Sequence, residues 1–170
     1  HIMPGGLRLH RAFEEAGCLV INGGTGSSRL QVEVARAWQA TVYAGTPSFL
    51  RILFEKADEA KLPKPTMTKA LCSGEAFPPS LRDWLAERGI AGYQCYATAD
   101  LGLVAYETSA REGLVLDEGV IVEIVRPGSG DPVPDGDVGE VVVTTLNADY
   151  PLIRFGTGDL SAVLPGRCPT

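Results

Sequence analysis

Ala40-Thr41-Val42-Tyr43-Ala44-Gly45-Thr46-Pro47-Ser48-Phe49-Leu50-Arg51-Ile52-Leu53-Phe54-Glu55-Lys56-Ala57 is the stretch that decides the fold class. Ala40 to Ala44 is short and carries β-branched and aromatic side chains, as a strand does. Thr46 then offers an N-cap, and Pro47 a first-turn proline with φ already set for a helix. Phe49, Leu50, Leu53, Phe54 and Ala57 recur at helical spacing and put one apolar face on that helix.

The same alternation extends to both sides. Upstream, Leu9, Phe13 and Ala16 share a helical face that Gly17 closes, and Cys18 to Ile21 reads as a short buried strand. A Gly23-Gly24-Thr25-Gly26-Ser27-Ser28 loop feeds a helix with Leu30, Val34, Ala37 and Trp38 on one stripe. Downstream, Leu62 to Pro65 connects to a strand at Met67 to Cys72. Pro78-Pro79-Ser80 opens a helix with Leu81, Trp84 and Leu85 inward and Gly89 at its end, and Tyr93 to Tyr96 is the next strand. Strand–helix–strand repetition with short connections predicts an α/β fold, a parallel sheet flanked by helices.

After about residue 102 the helical pattern stops. Gly119 to Val125 and Glu140 to Leu146 are β-branched runs, joined by a Pro, Gly and Asp-rich loop with a tight turn at Asp135-Gly136. Leu152 to Phe155 and Leu160 to Leu164 complete a small antiparallel β region. The expected organisation is residues 4–104 as the parallel-sheet part and 105–170 as a β-rich appendix. His1-Ile2-Met3 looks like a vector-derived remnant at residues 1–3.

The 170 residues, 45% of them hydrophobic, suffice for a proper core. A net charge of −6 argues against a nucleic-acid or anionic-membrane surface. No apolar run approaches the roughly 20 residues of a membrane span, and a cytoplasmic protein is expected. Cys18, Cys72, Cys95 and Cys168 lack any Cys-x-x-Cys pair, and the first three lie in or beside strand-like runs. Buried reduced thiols are favoured over disulfides or a metal.

Leu152-Ile153-Arg154-Phe155-Gly156-Thr157-Gly158-Asp159 carries the most chemistry. An apolar run enters a Gly-Thr-Gly turn that delivers one carboxylate, an acceptor suited to a pair of sugar hydroxyls. A capped turn between two strands would use the same residues. Tyr96-Ala97-Thr98-Ala99-Asp100 adds an aromatic and an acid at a strand end, and Ser73-Gly74-Glu75-Ala76-Phe77 follows another strand. Open α/β sheets place ligands at such ends.

In this order the three segments resemble motifs of adenylate-forming enzymes, and among them the phenylacetate–CoA ligase family. The resemblance spans nearly all the chain, Pro134-Asp135-Gly136 and Gly139 to Leu146 included. It implies an ATP-dependent acid–CoA ligase that makes an acyl-adenylate and then a CoA thioester. Gly74, Glu75 and Ala76 would line the adenine, Tyr96 would stack on it, and Asp159 would bind the ribose. Asp100 stands where the family has Glu and would hold Mg²⁺. Ala99 replaces a phosphate-contacting hydroxyl and leaves Thr98 one place earlier. Gly156 replaces an arginine.

The family's phosphate loop and C-terminal lysine would lie outside this chain, so it looks like the central part of the N-terminal domain and is expected to be inactive alone. The glycine loop at Gly23 to Ser28 is favoured as a structural turn over a phosphate cradle. Thr108, Val115 and Thr170 stand where the family's structural zinc ligands would be, so no zinc is expected. His10 falls near the family's aryl-acid pocket, although an ordinary helix-face histidine is favoured. The implied partners are a carboxylic acid of aromatic type, ATP or AMP, and CoA. A degenerate nucleotide-binding homologue and an enzyme loading a carrier protein are the alternatives.

Overall fold

A computed structural model describes residues 4–24, 26–168 and 170, so the expected remnant at residues 1–3 lies outside the described residues. The chain divides into two compact units, with the boundary between Gln94 and Cys95.

The first unit contains α1 (Pro4–Glu15), α2 (Ser28–Ala37), β1 (Val42–Gly45), α3 (Pro47–Glu59), β2 (Lys69–Cys72), α4 (Pro79–Ala86) and the first half of β3 (Ala91–Thr98). β1, β2 and β3 pair in parallel, with Val42 opposite Lys69 and Lys69 opposite Ala91. Parallel neighbours need a crossover, and α3 and α4 supply the two. α3 buries Leu50, Leu53, Phe54 and Ala57, the face its spacing predicts. Leu50 and Phe54 join Met67, Ala70, Cys72, Phe77, Leu85 and Ile90 in the main core. Removing a ring such as that of Phe54 would cost about 3–5 kcal/mol, because a cavity is left behind. Gly92 has a steric reason within β3. A Cβ there would lie 2.7 Å from Phe77 Cζ, so the missing side chain makes room for the ring.

Expectations about one strand and one helix face fail in this unit. Cys18 to Ile21 is not a strand: no strand pairs with it among the described residues, and Leu19 is 76% exposed. The Cys18 N–H instead donates to the Phe13 carbonyl at 2.9 Å, part of the turn that ends α1 with Gly17 at φ 82°. An apolar run becomes a strand only where a neighbour takes up its backbone bonds. The Cys18 thiol is therefore exposed, as is that of Cys168, while Cys72 and Cys95 are buried as expected. The stripe expected on α2 is also misplaced. Leu30 and Trp38 are exposed, and α2 buries Val32 against Leu53 and Ala57 of α3.

In the second unit the latter half of β3 pairs antiparallel with β4 (Gly102–Tyr106), and β4 pairs with β5 (Val115–Leu116). β6 (Val120–Val125), β7 (Gly139–Thr145) and β8 (Phe155–Ser161) form a separate antiparallel sheet in that order. Leu101, Val104, Ile124, Val141 and Val143 make the core of this unit. The turn at Asp135-Gly136 is present: Gly136 takes φ 92°, and the Asp137 N–H donates to the Pro134 carbonyl at 3.0 Å. The result is an α/β fold with a helix-flanked parallel sheet and a small antiparallel sheet, as the sequence pattern predicts. β4 and β5 were not expected. The two short strands expected around a Gly-Thr-Gly turn are instead one strand, β8, which contains that tripeptide.

Candidate nucleotide site

The strand pairing explains how Gly-Thr-Gly can sit inside β8. Glu140 faces Leu160 and Val142 faces Gly156, so Val141 alone stands across from Thr157, Gly158 and Asp159. The excess makes a bulge, a device that re-aims side chains. Each residue of the bulge has a task. The Thr157 hydroxyl donates to the Val141 carbonyl at 2.9 Å and accepts from the Asp159 N–H at 3.1 Å, replacing ladder bonds that the bulge removes. Gly158 takes φ 76°, which a side chain would strain. Its N–H donates to Glu140 Oε1 at 3.3 Å. Gly156 leaves space for the same carboxylate, since a Cβ there would lie 2.8 Å from Glu140 Oε1. The role of Glu140 was not visible in the sequence, because it depends on the register across β7 and β8.

Asp159 is exposed, and its Oδ2 accepts from the Tyr96 hydroxyl at 2.6 Å. Tyr96 lies on β3 at a second register shift, between Tyr96 and Ala97. Two bulged strands thus bring the candidate stacking ring and the candidate ribose carboxylate together. Burial first, and then the bond to Asp159, raise the Tyr96 phenol above its ordinary value. It is a proton donor to the carboxylate throughout the neutral range.

Thr98 and Asp100 belong to the hairpin between β3 and β4. Thr98 pairs with Gly102, which takes φ 81° and closes the three-residue loop Ala99 to Leu101. The Thr98 hydroxyl oxygen accepts from the Leu101 N–H at 3.0 Å, which leaves its proton available to an outside acceptor. Asp100 is exposed within this loop.

The remaining candidates lie in the first unit. Gly74 turns the chain at φ 81° just beyond β2, followed by exposed Glu75 and Ala76 and buried Phe77. Glu75 Oε1 accepts from the Ser48 N–H at 2.6 Å. Thr46, expected as the N-cap of α3, makes no side-chain cap bond. His10 is held locally, with Nδ1 3.2 Å from Asn22 Oδ1 and Nε2 3.2 Å from Glu14 Oε1. In the glycine loop, Gln31 Nε2 donates to the Gly24 and Gly26 carbonyls at 3.2 Å each, and Ser27 accepts from the Leu30 N–H. Those bonds are the ones a structural turn needs. Among the described residues no group of three or more His, Cys, Asp and Glu stands together as metal ligands. Nor is any helix among them long and apolar enough to cross a membrane.

A family model described as AMP-binding enzyme matches residues 8–147. The chain belongs to the AMP-binding enzyme family. Among its relatives, the phenylacetate-coenzyme A ligase of Pseudomonas putida is 28% identical, over 97% of this chain and 39% of the relative. That of Escherichia coli is 27% identical, over 99% of this chain and 41% of the relative. These matches bear out the resemblance carried by the motifs. The chain spans about two fifths of the length of the curated relatives it matches. Among solved structures, an open conformation of 2-hydroxyisobutyryl-CoA ligase in complex with 2-HIB-AMP and CoA superposes with a TM-score of 0.75 at 26% identity. That match covers 83% of this chain and 35% of the other. AMP-binding family membership thus rests on sequence and on fold together.

Proposed function

We propose that this chain is the adenine- and ribose-binding portion of an ATP-dependent acid–CoA ligase. The observation that carries the reading is the 2.6 Å pairing of Tyr96 with Asp159 on two bulged strands of a chain from the AMP-binding family. A carboxylate has about four lone-pair sites, so the Tyr96 bond leaves acceptor capacity for the two hydroxyls of a ribose. The bond also fixes the carboxylate in one orientation before ligand arrives, which lowers the ordering cost of binding. Tyr96 then offers its ring to the base, and in the first unit Gly74, Glu75 and Ala76 are the backbone candidates for contact with a nucleotide base.

The relatives named above support an acyl-adenylate followed by a CoA thioester as the reaction. An aromatic acid is the preferred substrate class, since the curated relatives are phenylacetate ligases. Mg²⁺ suits the donor set here: it is commonly held by one or two carboxylates plus substrate phosphates, and Asp100 is an exposed carboxylate near Thr98 in sequence. When bound, the ion would neutralise phosphate charge. Asp100 would hold it, and the Thr98 hydroxyl would donate to a phosphate oxygen. On the acid side, His10 is the pocket candidate, oriented by Asn22 and Glu14. We place the protein in the cytoplasm.

The test is acid-dependent pyrophosphate release by the longer polypeptide that carries this chain, across aromatic and aliphatic acids. Release with an aromatic acid, reduced roughly 10- to 100-fold by Asp159→Ala, is the expected result. AMP binding with no pyrophosphate release from any acid would favour a degenerate nucleotide-binding homologue instead.

A further inference from the structure

The loop from Ser73 to Phe77 is fastened at both ends. At its start the Ser73 N–H donates to the Gly45 carbonyl at 3.1 Å, extending the parallel pairing past β1 and β2. At its end Phe77 is buried over Gly92, with the Arg82 guanidinium 4.4 Å from the ring centre. Between these anchors Gly74, Glu75 and Ala76 are exposed. Their tie to the neighbouring helix is the Glu75 carboxylate, which accepts from the Ser48 N–H at 2.6 Å.

That N–H lies in the first turn of α3, where backbone donors have no partner within the helix. Thr46 leaves the position open, and Glu75 fills it from 27 residues further along the chain. A carboxylate at a helix N-terminus is further favoured by the helix dipole. Gly74 turns directly against the same helix entry: a Cβ on it would lie 3.5 Å from Thr46 Cγ2.

We propose that Glu75 is a positioning residue: its carboxylate latches the middle of this loop to α3 and so sets the backbone of Gly74 and Ala76. The inference rests on the nucleotide reading above, in which that backbone lines the base. It assigns the Glu75 side chain a role that needs no contact with the nucleotide.

Backbone amide NMR on the wild-type chain, Glu75→Ala and Glu75→Gln tests this, with AMP as the probe. Wild-type protein should show AMP-induced shifts at Gly74 and Ala76. Glu75→Ala should speed hydrogen exchange at Ser48 about tenfold and weaken AMP roughly fivefold, the scale of a lost helix cap. Glu75→Gln keeps an acceptor oxygen and should stay within about twofold of wild type in both readouts. The thermal midpoint of Glu75→Ala should fall by only about 2–4 °C, the scale of one lost helix cap, so the fold persists in every variant. Unchanged Ser48 exchange in Glu75→Ala would overturn the latch. Faster exchange with unchanged AMP affinity would reduce Glu75 to an ordinary cap and overturn the positioning role. Wild-type protein without AMP shifts at Gly74 and Ala76 would overturn the nucleotide reading and, with it, the inference. Failure of the reading therefore shows in the wild type, and failure of the inference in the variants alone.

Discussion

The Tyr96 hydroxyl donates to the Asp159 carboxylate across 63 residues of sequence, at 2.6 Å. Neither residue reaches this position by regular strand geometry. Tyr96 sits beside the bulge in β3, and Asp159 lies within the bulge of β8. The bond is exposed, so its value for stability is small, within about 1 kcal/mol. Its consequence is orientation. Tyr96→Phe should keep the ring and the fold but let the carboxylate rotate, weakening AMP about two- to tenfold by titration. An unchanged affinity would show that Asp159 needs no orienting partner.

The two perturbed phenols predict an alkaline limit. Burial first, then the neighbouring Cys72 thiol, raise Tyr43 far above its ordinary value of 10.0, and Tyr96 moves in the same direction. A neutral tyrosine is favoured in the folded chain, so above pH 10 the unfolded chain loses its proton first. The stabilisation is complete below pH 10 and is lost as pH rises through the folded values. For Tyr43 the slope should approach roughly 1 kcal/mol per pH unit. Urea midpoints from pH 8 to 11.5 should fall above pH 10, and Tyr43→Phe should flatten that fall. A flat wild-type profile would contradict the assignment.

Gly139 opens β7 with no room for a side chain. A Cβ there would run into the Val125 carbonyl oxygen and lie 2.9 Å from Ile124 Cγ2. Backbone cannot yield as a side-chain tip can, so Gly139→Ala should destabilise the protein by about 2 kcal/mol in denaturant unfolding. A loss under roughly 0.5 kcal/mol would show that the β6–β7 pairing shifts freely.

What the sequence made legible follows from how local each signal is. The strand–helix handover at Thr46-Pro47 and the buried face of α3 are encoded within one stretch of chain. The helix start at Pro47 and the buried face appear as expected, while the Thr46 side chain makes no cap bond and Glu75 takes the Ser48 N–H instead. The strand read at Cys18 to Ile21 fails because an apolar run cannot announce whether a neighbour will pair with it. The stripe on α2 fails for a related reason: Leu30 and Trp38 have the right spacing, but α3 meets Val32. At the candidate site the motif residues were legible, while the support was not. Glu140 under Gly158, the Thr157 hydroxyl in place of ladder bonds, and Glu75 on Ser48 all depend on register or on partners distant in sequence.

The isolated chain should not adenylate an acid. It spans 39% of the Pseudomonas relative's length. Adenylation needs charge stabilisation at the reacting phosphate, which binding a base and ribose does not provide. Acid-dependent pyrophosphate release by the 170 residues, absent from Asp159→Ala, would contradict this.

No stoichiometric zinc should accompany the purified chain. The Thr108 and Thr170 hydroxyls are hydrogen-bonded to each other at 2.8 Å, and neutral hydroxyls are not the Cys, His or carboxylate donors that structural zinc takes. Elemental analysis should find well under one zinc per chain. About one per chain, resistant to mild chelation, would show a donor set elsewhere.

The central claim is that Tyr96 and Asp159 read the base and ribose of an adenine nucleotide. Titrating this chain with AMP and with 2′,3′-dideoxy-AMP, followed by backbone amide NMR, tests it most directly. AMP should shift the amides of Tyr96 and Asp159. The dideoxy analogue, which lacks both hydroxyls, should bind at least roughly tenfold more weakly. Equal affinity for the two ligands, or AMP shifts that spare Asp159, would contradict the account.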